Sequence, residues 1–259
     1  MTSDVIICED VRVRHYRLDS CESTQDIARE LAVGGVYAVS CGHMTKGRGR
    51  LGRRWYAGRG GAWVTVSAEL PTESRGSVLP LAVGARLADW LRKRYGVDVR
   101  VKWPNDLLIN GMKVGGVLIE AVSSGVTRVL VGVGINVAND IPDDLAGHAT
   151  RLADWVSDAS PDEVVEGIVC SVVSAIRDVL EGGDRVLSLW RRLSDTLGRE
   201  VWVILDDGRE VRGVAVDVDL DGALIISGDG GVHRVLVGEV IHLRPTSVKE
   251  NHGVNTDPY

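Results

Sequence analysis

Five cations stand within residues 46–54, and no acid lies among them. Gly47, Gly49 and Gly52 interleave with Arg48, Arg50 and Arg53, and Trp55 follows. A solvated stripe would mix lysine with glutamate, and a helix would avoid so much glycine. A bland connecting loop is the competing reading. Because an arginine guanidinium forks onto phosphate and carboxylate oxygens, the pattern fits a loose segment that orders over an anionic, phosphate-bearing ligand. The contrast with the rest of the chain, whose net charge is -6, sharpens that reading. Gly47-x-Gly49-x-x-Gly52 also matches the dinucleotide-binding fingerprint formally, but that motif must open a helix. The glycine-rich run that follows cannot begin one.

A second cluster, Lys102-Trp103-Pro104-Asn105-Asp106, sets a cation, an aromatic, a rigid turn residue, an amide and a carboxylate side by side. Read blandly it is a turn with a local Lys102–Asp106 ion pair. Read chemically, Asp106 is a general base and Lys102 holds a phosphate. Lys113 follows seven residues after Asp106 in a chain that strongly prefers arginine. Gly115 and Gly116 beyond it allow a ligand to approach the backbone.

These groups need elements to hold them. Ile27, Ala28 and Leu31 recur at helical spacing over residues 23–33, with Ser23 or Thr24 as cap. Strands are expected at Tyr37–Cys41 and Ala62–Leu70, on either side of the Gly/Arg loop. An apolar-faced helix spans residues 77–95 and closes on Gly96. Short strands at Val99–Lys102 and residues 107–109 lead to Asn110-Gly111, a type I′ hairpin signal, and then to a strand over residues 113–121. Another strand covers residues 127–137. Ser160-Pro161-Asp162-Glu163 reads as a capping box opening a helix to about residue 180, and a second helix occupies residues 184–196. From Gly198 to Arg244 the residues alternate between apolar and polar, with aspartate–glycine turns at short intervals. That grammar predicts a small antiparallel barrel of about five strands. The first part is therefore α+β with mostly antiparallel strands rather than βαβ units. The expected domains are residues 1–197 and 198–245, followed by a flexible tail at 246–259.

At 259 residues the chain has ample length for one medium domain and one small one. Its acidity argues against a general nucleic-acid binder. Cys8, Cys21, Cys41 and Cys170 are far apart without a C-x-x-C pair, so neither a disulfide framework nor a zinc site is indicated, and free buried thiols in a reducing compartment are expected. Neither a signal peptide nor an apolar run of membrane-spanning length is seen, and a cytoplasmic location is expected.

The segments Gly47-Arg48-Gly49-Arg50-Leu51-Gly52-Arg53-x-Trp55, Lys102-Trp103-Pro104-Asn105-Asp106, Lys113-x-x-Gly116-Val117-Leu118-x-Glu120 and Gly132-x-Gly134-Ile135-Asn136-Val137 resemble, in order, the signature of biotin–protein ligases. Residues 18–25 are similar to that family's first ligand-contacting segment, with Ser23-Thr24-Gln25 for the usual Ser-Thr-Asn. The resemblance runs from about residue 15 to residue 244. It implies a class II synthetase-like catalytic domain with an SH3-like C-terminal barrel. It also implies activation of biotin by ATP as biotinyl-5′-AMP and transfer to a lysine of a biotin carboxyl carrier protein or carboxylase subunit. Mg²⁺ would arrive with ATP, no dedicated carboxylate cage being visible. On this resemblance Arg48, Arg50, Arg53, Lys102 and Lys113 offset the repulsion between carboxylate and phosphate. Lys113 serves the biotin carboxylate, Asp106 the acceptor lysine, and Trp55 lids the adenylate. Ser23, Thr24 and Gln25 face the ureido ring, Asn136 lies near the adenine, and Arg244 reaches the triphosphate. Gly47, Gly49, Asn105, Gly115 and Gly116 complete the implied ligand-contacting set. Met44 stands where the family has a glutamine contacting biotin, which predicts weaker or altered biotin affinity. A lipoate-type ligase is the nearest rival, but Ala62-Trp63-Val64 replaces the His-Asp pair it needs. A biotin-sensing repressor would need a helix-turn-helix that the ~20 residues before Ser23 cannot form. A non-catalytic nucleotide binder is the third alternative. No nucleic-acid or membrane partner is expected, and the oligomeric state is open, a homodimer being one option.

Overall fold

Along β4 (Ala62–Leu70) nearly every side chain is buried, but the two parities pack on opposite faces of the sheet. Ala62, Val64, Val66, Ala68 and Leu70 point into the main core, whereas Thr65 on the opposite face bonds Thr24 and Trp63 meets Trp55. Side chains on a strand alternate between its faces, so one strand can serve core and site at once. The partner strand β8 (Thr127–Ile135) repeats the pattern: Val129, Val131, Val133 and Ile135 join the core, while Leu130 packs with Ala28, Tyr37 and Val39 on the other face.

The computed structural model describes residues 1–31, 33–71, 76–123, 127–205, 208–228 and 230–242. The chain runs β1 (Thr2–Cys8), β2 (Val11–Leu18), α1 (Thr24–Leu31), β3 (Tyr37–Cys41), β4, α2 (Leu79–Tyr95), β5 (Val99–Lys102), β6 (Asp106–Ile109), β7 (Met112–Ser123) and β8. It continues with α3 (Pro161–Leu180), α4 (Asp184–Leu193), β9 (Glu200–Ile204), β10 (Glu210–Val218), β11 (Leu224–Gly228), β12 (Gly231–Val235) and β13 (Glu239–His242). The first eight strands form one sheet in the order β1-β2-β3-β4-β8-β7-β6-β5, and the last five form a second in the order β12-β11-β10-β9-β13. Every pairing is antiparallel except β2 with β3. The expected α+β class, mostly antiparallel sheet and five-stranded C-terminal β unit are all present.

Helices α2 and α3 cover one face of the large sheet, and α1 covers part of the other. The α3 stripe Val164, Val165, Ile168, Val169, Val172 and Val179 is buried at helical spacing, each side chain contributing about 1.5–3 kcal/mol relative to exposure. The core runs without a break into the second sheet through Val201, Val203, Ala215 and Leu224. Asn110 and Gly111 both take positive φ, 50° and 77°, as a type I′ turn requires.

Several expectations change. The hairpin β1–β2 is an addition to the expected elements, although Val11-x-Val13-x-His15 alternates as a half-buried strand does. The helix at 77–95 starts later, after a 3-10 turn at Gly76–Val78, the strand at 127–137 ends at Ile135, and the helix at 184–196 ends at Leu193. The capping box does not form: Ser160 makes no side-chain cap bond, and Glu163 is drawn to Arg94 and the Tyr95 hydroxyl, a charged partner outcompeting the local cap. Free thiols hold for Cys21 and Cys41 only. Cys8 and Cys170 form a disulfide, because β1 lies against α3 and brings together residues 162 apart in sequence with Cα atoms 5.0 Å apart. Cysteine usage therefore no longer supports a reducing compartment. Arg244, the tail, and Asp206, Asp207 and Asp229 of the expected turns lie outside the described residues.

Candidate active site

The Gly/Arg segment is a short irregular hairpin. Gly49 N–H donates to the Arg53 carbonyl (2.8 Å) and Trp55 N–H to the Gly47 carbonyl (3.0 Å), around a 3-10 turn at Arg50–Gly52. A Cβ at Gly47 would lie 2.5 Å from the Trp55 carbonyl oxygen, so the limbs close only because that residue is glycine. The glycines thus close the hairpin as well as loosen it, and no helix follows Gly52, as expected for a false dinucleotide fingerprint.

Its arginines find partners elsewhere in the chain. Arg48 bonds both Asp26 carboxylate oxygens at 2.7 Å, and Arg53 bonds Glu239 at 2.6 Å. Arg50 donates to the Asn105 side-chain oxygen (3.5 Å) and to the Gly238 carbonyl (3.3 Å). The hairpin therefore bridges α1, the β5–β6 turn and β13.

Beneath it the parity of the strands makes a floor. On the site face, β8 carries Gly132 and Gly134 where the core face carries valines. A Cβ at Gly132 would lie 3.0 Å from Gln25 Nε2, and one at Gly134 would lie 2.8 Å from Trp55 Nε1. Trp55 lies flat in that space, edge-on to Trp63 (centroids 6.2 Å apart), with the Lys113 ammonium 5.4 Å from its ring centre. Asp106 accepts an ion pair from Lys113 at 2.8 Å, each side chain 12% exposed. The β6–β7 hairpin folds Lys113 back beside Asp106, which faces Lys102 across the β5–β6 pair. Asn105 locks the turn to β7 by donating Nδ2 to the Val117 carbonyl and accepting Val117 N–H, both at 2.9 Å.

One cleft gathers most of the expected residues: Ser23, Thr24 and Gln25 at the start of α1; Arg48, Gly49, Arg50, Arg53 and Trp55 from the hairpin; Lys102, Asn105 and Asp106 from the β5–β6 turn; Lys113 and Gly116 from β7. Counting its open mouth, it encloses about 910 Å³. Three expected residues stand apart. Gly47 is buried in the hairpin stem. Gly115 is glycine for packing, since a Cβ would meet Ile135 Cδ1 at 2.2 Å. Asn136 borders a smaller cavity bounded by Trp55, Tyr56, Asn139 and Pro142, and its amide is held by the Thr150 carbonyl and Asn139. Sequence reasoning missed Trp103 as an anchor: it is buried, and its indole N–H donates to the Gly222 carbonyl at 3.0 Å, tying the β5–β6 turn to the second sheet. It also missed Glu239 and Val240, which border the cleft from β13 with no local signal to reveal them. Gly132 and Gly134 did carry one, since glycine inside a strand marks a close approach.

The cleft has two chemical ends. At one, Thr24 donates its N–H and hydroxyl to the Met44 sulfur (3.4 and 3.6 Å) and accepts from Thr65. Beside it Gln25 donates Nε2 to the Leu118 carbonyl (3.3 Å), while its Oε1 is buried without a partner. At the other stand Lys102, Lys113, Arg50 and Asp106. Among the described residues no group of three or more potential metal ligands occurs.

Fold and cleft together define an α+β protein with a cation-lined cleft suited to anionic ligands. Residues 34–136 match the biotin/lipoate A/B protein ligase family, and residues 196–243 match the biotin protein ligase C-terminal domain. The biotin–[acetyl-CoA-carboxylase] ligase of Mycobacterium tuberculosis is 32% identical over 222 residues, spanning 82% of this chain and 80% of that protein. The corresponding ligase of Paracoccus denitrificans is 31% identical, spanning 85% of this chain and 96% of that one. The structure of biotin protein ligase from Aquifex aeolicus in complex with biotin and ATP superposes with a TM-score of 0.77 at 28% identity, covering 89% of this chain and 99% of that one. The chain belongs to the biotin protein ligase family.

Proposed function

We propose that the two-ended cleft binds biotin and ATP, makes biotinyl-5′-AMP, and hands the biotinyl group to a lysine of a biotin carboxyl carrier domain of a carboxylase. The observation that carries this is the gradient along one cleft, from uncharged hydrogen-bonding groups at Thr24 and Gln25 to clustered cations at Arg50, Lys102 and Lys113. Biotin has that gradient: ureido N–H groups at one end and a carboxylate at the other. The orphan Gln25 Oε1 is an acceptor suited to a ureido N–H, and leaving a buried acceptor unpaired costs about 1–3 kcal/mol.

In the first step a biotin carboxylate oxygen attacks the α-phosphorus of ATP, and diphosphate leaves. Two like charges at 4 Å repel by about 4 kcal/mol at an effective dielectric near 20, so cations fixed before the reaction are needed. Lys113, held by Asp106, serves the carboxylate; Arg50, Lys102 and Arg53 serve the phosphates. Mg²⁺ enters as part of the substrate MgATP; Asp106 and Glu239, the cleft's carboxylates, are engaged by Lys113 and Arg53. Trp55 and the hairpin above it exclude water from the mixed anhydride. In the second step the acceptor lysine amine attacks the acyl carbon and AMP leaves, with Asp106 taking the amine proton. Asn136 and the small cavity behind Trp55 serve the adenine. Residues 1–197 act as the catalytic domain, with 198–245 supplying the wall at Glu239. A cytoplasmic location, where ATP and the carrier are found, completes the reading.

The lipoate alternative fails on the same face: Trp63, where that family needs its His-Asp pair, is fully buried, and the matching C-terminal domain is the biotin-specific one. Incubation with ATP, labelled biotin and a carrier domain tests the proposal. Label on the carrier lysine is expected, and Lys113→Ala is expected to lower biotin-dependent diphosphate exchange by at least ~100-fold, the loss of one preorganised charge. Adenylate retained with no transfer, or full exchange in Lys113→Ala, overturns it.

A further inference from the structure

Asp26 stands next to Gln25 in the first turn of α1 and takes no part in the reaction described above. It adds negative charge beside a cleft that must gather two anions, so its position calls for a compensating role. Its carboxylate grips Arg48 of the hairpin with both oxygens, Nη1 to Oδ2 and Nη2 to Oδ1, each at 2.7 Å. Arg29, one turn along α1, reaches Asp26 Oδ1 at 3.1 Å and also pairs with Glu120 of β7. Glu120 in turn lies 3.8 Å from Arg48 Nη2. Four side chains of alternating charge thus tie together α1, the hairpin and β7. Those same segments carry Gln25, Arg50 with Trp55, and Lys113. A bidentate carboxylate fixes the plane of a guanidinium as well as its position. The Arg48 guanidinium also holds the Asp26 carboxyl below the usual carboxylate range, so the pair stays charged at neutral pH.

We propose that Asp26 is a positioning residue that latches Arg48, and with it the first limb of the hairpin, onto α1, keeping the acyl adenylate enclosed until the acceptor arrives. The latch acts on retention rather than on bond making, because Lys113 is held by Asp106 and Arg50 by Asn105 and the Gly238 carbonyl, contacts that Asp26 does not make. The inference rests on the ligase reading above.

The test is the lifetime of enzyme-bound adenylate. Enzyme is loaded with labelled biotin and ATP and separated from free ligand, and escape of adenylate is followed with and without carrier domain. Asp26→Ala is expected to release adenylate roughly tenfold faster, the scale of one charge-assisted bond in a half-exposed site, with diphosphate exchange within about twofold of the parent. Asp26→Glu restores retention, and Asp26→Asn falls between. Raising salt from 0.05 to 0.5 M speeds release from the parent enzyme more steeply than from Asp26→Ala, since the Asp26–Arg48 latch adds to the other charged contacts of the hairpin. If Asp26→Ala does not fold, Asp26→Asn and the salt dependence of the parent carry the test. Equal lifetimes in all variants, or salt-independent release from the parent, overturn the latch. A parent enzyme that forms no adenylate instead overturns the ligase reading, so the two failures are distinguishable.

Discussion

Gln25 shows how one side chain can be committed at one end and open at the other. Its amide nitrogen is spent on the Leu118 carbonyl, and its oxygen is buried with nothing to accept. Gln25→Leu removes that acceptor while keeping the volume. Losing the Nε2 bond to the Leu118 carbonyl should lower stability by about 1 kcal/mol, while loss of the open acceptor weakens biotin binding. We expect the biotin Kd to rise about tenfold to a hundredfold by calorimetry, at roughly 1.4 kcal/mol per decade. An unchanged Kd would remove Gln25 from the biotin end of the cleft. Met44 occupies the same end as an acceptor for Thr24, so the residue that departs from the family pattern still has a polar partner, though a weak one.

At the scale of elements, the hairpin β1–β2 carries a pH dependence. His15 is fully buried on β2, its Nε2 2.7 Å from the Ser40 hydroxyl, and the Asp4 carboxylate is 3.1 Å from Nδ1 but not aligned to bond it. Burial, with help from the Arg17 charge, lowers its pKa below the ordinary histidine value near 6.5; Asp4 opposes this only in part. The unfolded chain therefore binds the proton more readily. Stability is fully present above the unfolded pKa and is lost as pH falls through the folded one. Melting temperature should decline below about pH 6.5, and His15→Gln should flatten that decline. An equally steep decline in the variant would place the titrating group elsewhere. Most elements were legible because they repeat: β3, β4, β5, α3 and the Asn110-Gly111 turn follow local periodicity or turn chemistry. What escaped depends on distant partners. Glu163 left its local cap for Arg94, the second half of the cleft wall comes from β13, and Cys8 meets Cys170 only through the docking of β1 on α3. The charge and the glycines of the cleft were readable, but not which partner would answer each arginine.

For the whole molecule, the Cys8–Cys170 bridge closes a loop of 162 residues between the edge of the large sheet and α3. Cross-links over long loops restrict the unfolded ensemble, so reduction should lower unfolding free energy by about 2–4 kcal/mol. Urea midpoints with and without dithiothreitol check this, with Cys170→Ser expected to match the reduced protein and to be insensitive to reductant. Identical midpoints would show that the bridge adds nothing to stability. The cleft lies inside this frame, its hairpin clasped by Asp26 of α1 on one side and Glu239 of β13 on the other. On the sheet side, Gly132 and Gly134 have already given up every side-chain atom they could. Any redesign that seeks to admit a bulkier acid must carve its room from the hairpin, from α1 or from Met44, because that floor has reached its lowest level.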